Sequence, residues 1–450
     1  MKPLFPNIKI ERDSGDTVRP TTMGDVLLPD NVNMGQYLKI GSEQGLLDLS
    51  KQIKLPNWIK DPENLEKILS GQYRDIKPIT AEFVPTLNCN YRCTQCAYSK
   101  AKKDSGLWAT SQKKGLLPKY HMSEDVMMFS LDRLVEGGVK NILFTGGGEP
   151  LINKSTLKGM RHAKNNGNVV ALYTNGVVLN SEKIDELIEI DPLFIRISVY
   201  GGNQETVANY THTKDNKSFE RVIRNITELI KQKKKAKSDV NIGLSYLVHP
   251  LTQDSITEFA QEIRKIDVIN ALDYIRFTPA VEYFDGPQHD QGMMEETFKG
   301  IEHNVSPMFT DTDVSIKLYY HRLNDLNSEK QYNTCLASGW FIEVGPSGEV
   351  FLCCEKHFLE DYKIGNLMTH TIDEIWKSDL RKNVIDNVNN HYCKSCPTLC
   401  KPHELNKVFN EIETYRQEGN INKIKKWSSD LLKYRAACDF CPGQMDDFQS

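Results

Sequence analysis

The sequence predicts an α/β protein, a partial (β/α)6 TIM-like barrel followed by a cysteine-rich C-terminal domain. Three observations carry this. Between residues 79 and 290, six strand-like segments alternate for the most part with helical ones, a pattern that demands parallel strands joined by crossovers, in an open sheet or a partial barrel. The unusual residues fall just after those strands, at the ends where parallel barrels place their chemistry. The eleven cysteines divide sharply: three lie at 89–96, eight lie between 335 and 441, and none lies between the two groups.

At 450 residues the chain is too long for one compact core, and two or three domains are expected. The composition shifts suggest an N-terminal extension at 1–78, the barrel at 79–290, a helical connector at 291–330 and the cysteine-rich domain at 331–450. Hydrophobic residues at 39% and charged residues at 26% are ordinary for a globular protein. Net charge is −4, from 56 basic and 60 acidic side chains, which gives no long-range attraction to nucleic acid or an anionic membrane. The opening residues "MKPLFPNIKIERDSGD" have no apolar core of the signal-peptide kind, and no run approaches the roughly 18 apolar residues of a membrane helix. A cytoplasmic location is expected, where cysteines in this number point to metal rather than to disulfides.

In chain order, residues 1–78 begin loop-like, with Pro3, Pro6, Pro20 and Pro29, and then "NLEKILSG" reads as a short helix ended by Gly71. The barrel starts with "AEFVPTL", a strand leading directly into the first cysteines. "SEDVMMFSLDRLVEGG" is a helix with Ser123 as N-cap, Met127, Leu131 and Leu134 on one face, and Gly137 at its end. "VKNILFTGGGEP" is a buried strand entering a glycine turn; "STLKGMRHAKNNG" is helical; "NVVALYTNG" and "LFIRISVYGG" are strands with turns. "SFERVIRNITELIKQKKK" is a helix before the strand "VNIGLSYLVHP", and "SITEFAQEIRKI" a helix before the strand "LDYIRFTPA". The lysines of "KQKKKAK" at 231–237 suit a solvated helix end, where cations favour the dipole.

The loop "NCNYRCTQCAY" places Cys89, Cys93 and Cys96 within eight positions. Closely spaced thiolates on one loop reach several corners of an iron–sulfur cube, whereas zinc usually shows paired C-x-x-C units. The loop resembles the signature of the radical S-adenosylmethionine (SAM) enzymes, C-x3-C-x2-C after the first barrel strand. The resemblance implies that these three cysteines hold a [4Fe–4S] cluster whose fourth iron is left for SAM. It further implies that reductive cleavage of SAM yields a 5′-deoxyadenosyl radical, which takes a hydrogen atom from substrate. Where the family often has an aromatic residue before the third cysteine, this chain has Gln95.

The same resemblance extends to the other strand ends. "TGGGEP" is similar to the family's glycine-rich turn, which puts Gly147, Gly148 and Glu149 by the methionine amino group of SAM. Asn175 in "YTNG" and Ser198 in "RISVYG" match positions that often touch the ribose or carboxylate, and Arg276 in "YIRFTPA" is a candidate pointing into the barrel. Turn chemistry for Asn175 and Ser198, and a structural ion pair for Arg276, are the competing readings.

The late cysteines are Cys335, Cys353, Cys354, Cys393, Cys396, Cys400, Cys438 and Cys441, with two C-x-x-C pairs. The run from Cys335 through "GPSGEVFLCC", "YKIGNL" and "YCKSC" resembles the SPASM or twitch extension of radical SAM enzymes. That resemblance assigns Cys335, Cys353, Cys393 and Cys396 to one auxiliary [4Fe–4S] cluster. Cys400, Cys438 and Cys441 are candidates for a second, completed by Cys354 or a non-cysteine ligand; zinc is the alternative for this trio.

The resemblance implies a radical SAM enzyme that crosslinks, oxidises or epimerises a peptide or protein, fed by a low-potential donor such as flavodoxin or ferredoxin. The same chemistry on a small metabolite, such as a sugar or aminoglycoside, is the alternative, and a non-catalytic metal-binding protein is the remote one. For an epimerisation, Cys354 is the candidate hydrogen donor.

Overall fold

The computed structural model describes residues 62–96, 121–281, 289–320, 323, 326, 328–330, 332–353, 359–393, 396, 400 and 402–420. These fall into two compact units, one taking in residues 77–330 and 340–400, the other residues up to 76, 331–339 and those from 401 onward.

The larger unit is built on a ten-stranded sheet. Its first six strands are β1 (Thr80–Phe83), β2 (Asn141–Phe144), β3 (Val169–Thr174), β4 (Phe194–Val199), β5 (Asn241–Val248) and β6 (Tyr274–Pro279). They run parallel and lie side by side in sequence order. A doubly wound sheet reverses its strand order at a switch point; this one does not, which is the ordering of a barrel. The crossovers contain α2 (Glu124–Glu136), α3 (Thr156–Asn165), α4 (Ser181–Ile190), α5 (Gln204–Thr211), α6 (Ser218–Ala236) and α7 (Ile256–Arg264), the label α1 belonging to Pro62–Ser70. Helices α2 to α4 pack each against the next, and α4 against α6, as right-handed crossovers on one side of a sheet require.

Sequence reading placed no helix over Ser181–Ile190 or Gln204–Thr211. Both start on an asparagine cap: Asn180 accepts from the Lys183 N–H at 3.0 Å and Asn203 from the Thr206 N–H at 2.9 Å. The segment expected to be a helical connector supplies α8 (Gln291–Gly300) and also a seventh parallel strand, β7 (Ser315–Leu318), on the far side of β6. Four residues are too few for periodicity to announce a strand, and pairing to β6 supplies what local sequence does not.

On the other side of β1, β8 (Phe341–Val344) adds in parallel, followed by the antiparallel β9 (Glu349–Phe351) and β10 (Lys363–Asn366). Ile342, Val344 and Val350 are fully buried there, so this stretch shares the apolar core of the sheet. Helices α9 (Ile372–Lys377) and α10 (Asp379–Asn387) follow, α9 opening on a capping box between Thr371 and Glu374.

Strand alternation divides the sheet into two faces. Phe144, Leu172, Ile197, Leu244, Tyr246 and Phe277 are fully buried on the helix side, where the Tyr246 and Phe259 rings meet at 5.0 Å. The opposite face carries polar side chains, among them Glu82, Arg196, Ser198, Ser245 and Arg276.

In the smaller unit, α1 and α11 (His403–Gln417) are joined through Tyr73. The Tyr73 hydroxyl donates to the Phe409 carbonyl at 3.3 Å and its ring lies 5.6 Å from that of Phe409. Among the described residues no helix is long and apolar enough to cross a membrane.

Candidate functional site

The cysteine loop leaves the C-terminal end of β1 and is fixed largely by its backbone. Helix α5 ends with carbonyls that have no partner within the helix, and the loop uses two of them. The Arg92 N–H donates to Thr211 O at 2.8 Å and the Thr94 N–H to Tyr210 O at 2.9 Å. Tyr91 and Ser218, the first residue of α6, share a hydrogen bond of 2.5 Å. Inside the loop the Tyr91 N–H points at Cys89 Sγ at 3.4 Å and the Cys96 N–H donates to Cys93 O at 3.1 Å.

Burial pushes the Cys89 thiol up to about 12 although the residue keeps an open side, which places it in a recess. Cys93 is also raised by burial, then by Cys96 and Cys89. The three sulfurs are thus within electrostatic reach of one another. Separate irons at the corners of a cube each take one thiolate, so three thiols on one loop are a donor set that fits a cluster.

The glycine turn after β2 locks onto this loop. The Glu149 N–H donates to Asn88 O at 2.9 Å, and a Cβ on Gly148 would run into that same carbonyl oxygen, so only glycine allows the approach. The buried Glu149 carboxylate ties β2 to β3: Oε1 accepts from Thr174 Oγ1 at 2.7 Å and the Leu151 N–H at 3.1 Å, and Oε2 from the Asn175 N–H at 2.7 Å. Burial raises its pKa, with these three donors acting against the shift. Asn175 returns to the loop, its Nδ2 donating to Asn90 Oδ1 at 2.8 Å and lying 3.8 Å from Cys89 Sγ.

The structure therefore brings together Cys89, Cys93, Cys96, Gly148, Glu149 and Asn175. Ser198 lies near the end of β4, half-buried and two positions before the half-buried Tyr200. Arg276 sits on β6, five strands along from β1, donating to Ser245 Oγ at 2.9 Å and Tyr319 Oη at 3.4 Å.

Sequence reading missed the ring lattice under the loop. Tyr200 stacks on Tyr210 at 5.5 Å and meets Tyr91 edge-on at 6.0 Å; Tyr210 meets His249 at 5.1 Å, and His249 meets His289 at 4.7 Å. His289 Nε2 lies 2.5 Å from the Gln95 amide nitrogen, so the departure from the aromatic pattern at Gln95 is matched by a histidine from the far side of β6. Five scattered positions form no motif; their only signal was that aromatic residues and histidines recur near strand ends.

The later cysteines are placed differently. In the larger unit Cys353 follows β9, and Cys393 follows α10 through a short helical extension. Cys393 is buried, its thiol pushed up to about 11 by that burial, and the Cys396 N–H donates to its carbonyl at 3.4 Å. Cys400 is buried as well. In the smaller unit, Asn406 Nδ2 donates to Cys335 Sγ at 3.4 Å. Cys354, Cys438 and Cys441 lie outside the described residues.

Comparison with known proteins agrees with this layout. The profile of the radical SAM superfamily matches residues 83–263, and that of SPASM, an iron–sulfur cluster-binding domain, matches 335–397. A dTDP-4-amino-4,6-dideoxy-D-glucose ammonia-lyase of Streptomyces venezuelae is 24% identical over 246 residues, covering 52% of this chain and 47% of the lyase. The chain thus matches about half the length of that relative. A cysteine-type anaerobic sulfatase-maturating enzyme of Clostridium novyi (strain NT) is 24% identical over 387 residues, covering 77% of this chain and 96% of the other. Among solved structures, Streptococcus suis SuiB bound to its precursor peptide SuiA shares the fold with a TM-score of 0.54 at 13% identity, over 82% of this chain and 84% of SuiB.

Proposed function

From a chain that carries a radical SAM domain followed by a SPASM domain, we propose an enzyme that uses SAM to begin radical chemistry on a peptide or protein side chain or α-carbon. The observation that carries it is the three-thiol loop, held at the mouth of a parallel sheet by the C-terminal carbonyls of α5. When bound, the [4Fe–4S] cluster and SAM supply a 5′-deoxyadenosyl radical able to take hydrogen from an unactivated carbon.

Each residue then has a part. Cys89, Cys93 and Cys96 hold the cluster. Gly147 and Gly148 keep the floor beside it free of side chains. Glu149 fixes the β2 and β3 turns, so that Asn175, and Ser198 one strand on, face the nucleotide in a set geometry. Cys335, Cys353, Cys393 and Cys396 hold an auxiliary [4Fe–4S] cluster in the SPASM domain, and Cys400, Cys438 and Cys441 contribute to a second. Cys354 is the hydrogen donor if the product is an epimer. Electrons come from a low-potential flavodoxin or ferredoxin.

A peptide or protein substrate is supported by the sulfatase-maturating relative, aligned over 96% of its length, and by the shared fold of the peptide-bound SuiB. The ammonia-lyase relative favours a second reading, the same chemistry on a sugar-like metabolite. The test is anaerobic reconstitution with iron and sulfide. Three cubes give about 12 iron per chain, and SAM with a low-potential reductant gives 5′-deoxyadenosine. No 5′-deoxyadenosine from the iron-loaded protein would overturn the proposal.

A further inference from the structure

Helix α11 carries two asparagines one turn apart, Asn406 and Asn410, and both serve the segment around Cys335. Asn410 Nδ2 donates to the Thr334 carbonyl at 2.8 Å and to the Asn406 carbonyl at 2.8 Å. Asn406 Oδ1 accepts from the Ala337 N–H at 2.9 Å, a donor left over at the start of the short helical turn Leu336–Gly339. That bond fixes the amide. A backbone N–H can only donate, so the oxygen faces Ala337 and the nitrogen is turned to Cys335 Sγ, 3.4 Å away. Ser338 closes the segment, its hydroxyl donating to the Cys335 carbonyl at 3.2 Å. An aspartate oxygen would take the Ala337 N–H equally well. What asparagine adds is a donor aimed at sulfur, on a residue only 1% exposed. A neutral thiol is a weak acceptor and a metal-bound thiolate a stronger one, so this donor suits the cluster ligand that Cys335 is proposed to be.

We infer that Asn406 is a positioning residue that raises the reduction potential of the auxiliary cluster through Cys335 Sγ. Reduction adds negative charge, which the cluster shares with its sulfurs, and hydrogen bonds to those sulfurs are one of the protein's means of setting the potential. A fixed donor therefore favours the reduced form over the oxidised one. The amide is neutral and does not titrate, so the bias holds at any pH that keeps the fold. One helix face divides the work: Asn410 holds the backbone before Cys335, and Asn406 acts on the sulfur itself. Donor and sulfur both lie in the smaller unit, Cys335 within 331–339 and Asn406 beyond 401, so the arrangement is complete there. The inference rests on the proposed function, because it needs Cys335 to be a ligand of the auxiliary cluster.

The reconstituted full-length protein is titrated reductively and followed by electron paramagnetic resonance. The SAM-binding cluster is recognised by the change in its signal on adding SAM and is set aside. Asn406→Asp, measured at about pH 9 to keep the new carboxyl ionised, retains the bond to Ala337 and puts a lone pair where the donor was. The reduction equilibrium of one auxiliary cluster should weaken about 10-fold, a fall of about 59 mV, with iron content unchanged. Asn410→Ala, which frees the backbone and leaves the donor, should lower the melting temperature and not the potential. A second measurement needs no substitution. With asparagine side-chain amides carrying the heavy nitrogen isotope, the auxiliary signal of the unaltered protein should show coupling to that nucleus in pulsed resonance. This measurement decides the matter should Asn406→Asp lose its iron. An unchanged potential in Asn406→Asp, an equal fall in Asn410→Ala, or no nitrogen coupling overturns the inference. The response to SAM keeps the two ideas apart: a SAM-responsive cluster without this tuning overturns the role of Asn406 alone, and no response to SAM overturns the function.

Discussion

The cysteines at 89–96 and those from 353 to 400, both proposed as cluster ligands, stand on unlike scaffolds. The first three sit on a loop whose backbone is bonded to α5 and whose neighbours Glu149 and Asn175 are bonded to two strands. The later ones flank short elements, a three-residue strand before Cys353 and a nine-residue helix leading toward Cys393. The first group is held in place by hydrogen bonds of the protein itself. If the later cysteines hold a cluster as proposed, their lighter scaffold leaves more for the metal to do, and there binding energy becomes folding energy.

The largest contrast should come from Cys93→Ala and Cys396→Ala. Cys93→Ala is expected to lose about 4 of about 12 iron and all 5′-deoxyadenosine, with an unchanged far-ultraviolet circular dichroism spectrum. Cys396→Ala is expected to lose a similar amount of iron, retain SAM cleavage, and lower the melting temperature. Equal structural damage from both would break the contrast.

Gly148→Ala comes next. Its methyl group would meet the Asn88 carbonyl, so the turn and the cysteine loop must part. Activity should fall at least about 10-fold, since a displacement of about 1 Å near the chemistry costs 100-fold in other enzymes. Auxiliary iron, read by electron paramagnetic resonance, should stay.

The two regions also differed in how legible they were. Six strands, their parallel order and the cysteine loop followed from local patterns: apolar runs, glycine turns and one dense motif. What stayed hidden depended on pairing at a distance. β7 exists because β6 offers an edge, and β8 to β10 join the barrel sheet because β1 offers the other. The ring lattice from Tyr91 to His289 spans almost 200 positions and has no period to find. Glu149 was expected beside the nucleotide, yet no spacing argument could show that its carboxylate would be taken up by Thr174, Leu151 and Asn175.

Glu149→Gln probes that uptake. A carboxamide turns an N–H toward groups that are themselves donors, so at least one buried donor loses its acceptor, at a cost of about 1–3 kcal/mol. Chemical denaturation should show this loss with an unchanged slope, together with weaker SAM binding as the Asn175 turn relaxes. Unchanged stability would mean that the three bonds contribute nothing net.

Tyr91→Phe is the finest test of how far the first centre is shaped by the fold. It removes one oxygen and keeps the ring, which packs against Tyr200 and with Val207 and Phe219. Ser218 can turn its hydroxyl elsewhere, so the stability cost should be small, about 0.5–1.5 kcal/mol. Iron content should hold, because the Arg92 and Thr94 backbone bonds to α5 remain. The spectrum of the SAM-bound cluster should still shift slightly, because the side-chain bond from Tyr91, midway between Cys89 and Cys93, to the start of α6 is lost. If iron fell sharply instead, the loop would depend on that single hydroxyl rather than on the backbone, and the first centre would stand closer to the second than the geometry implies.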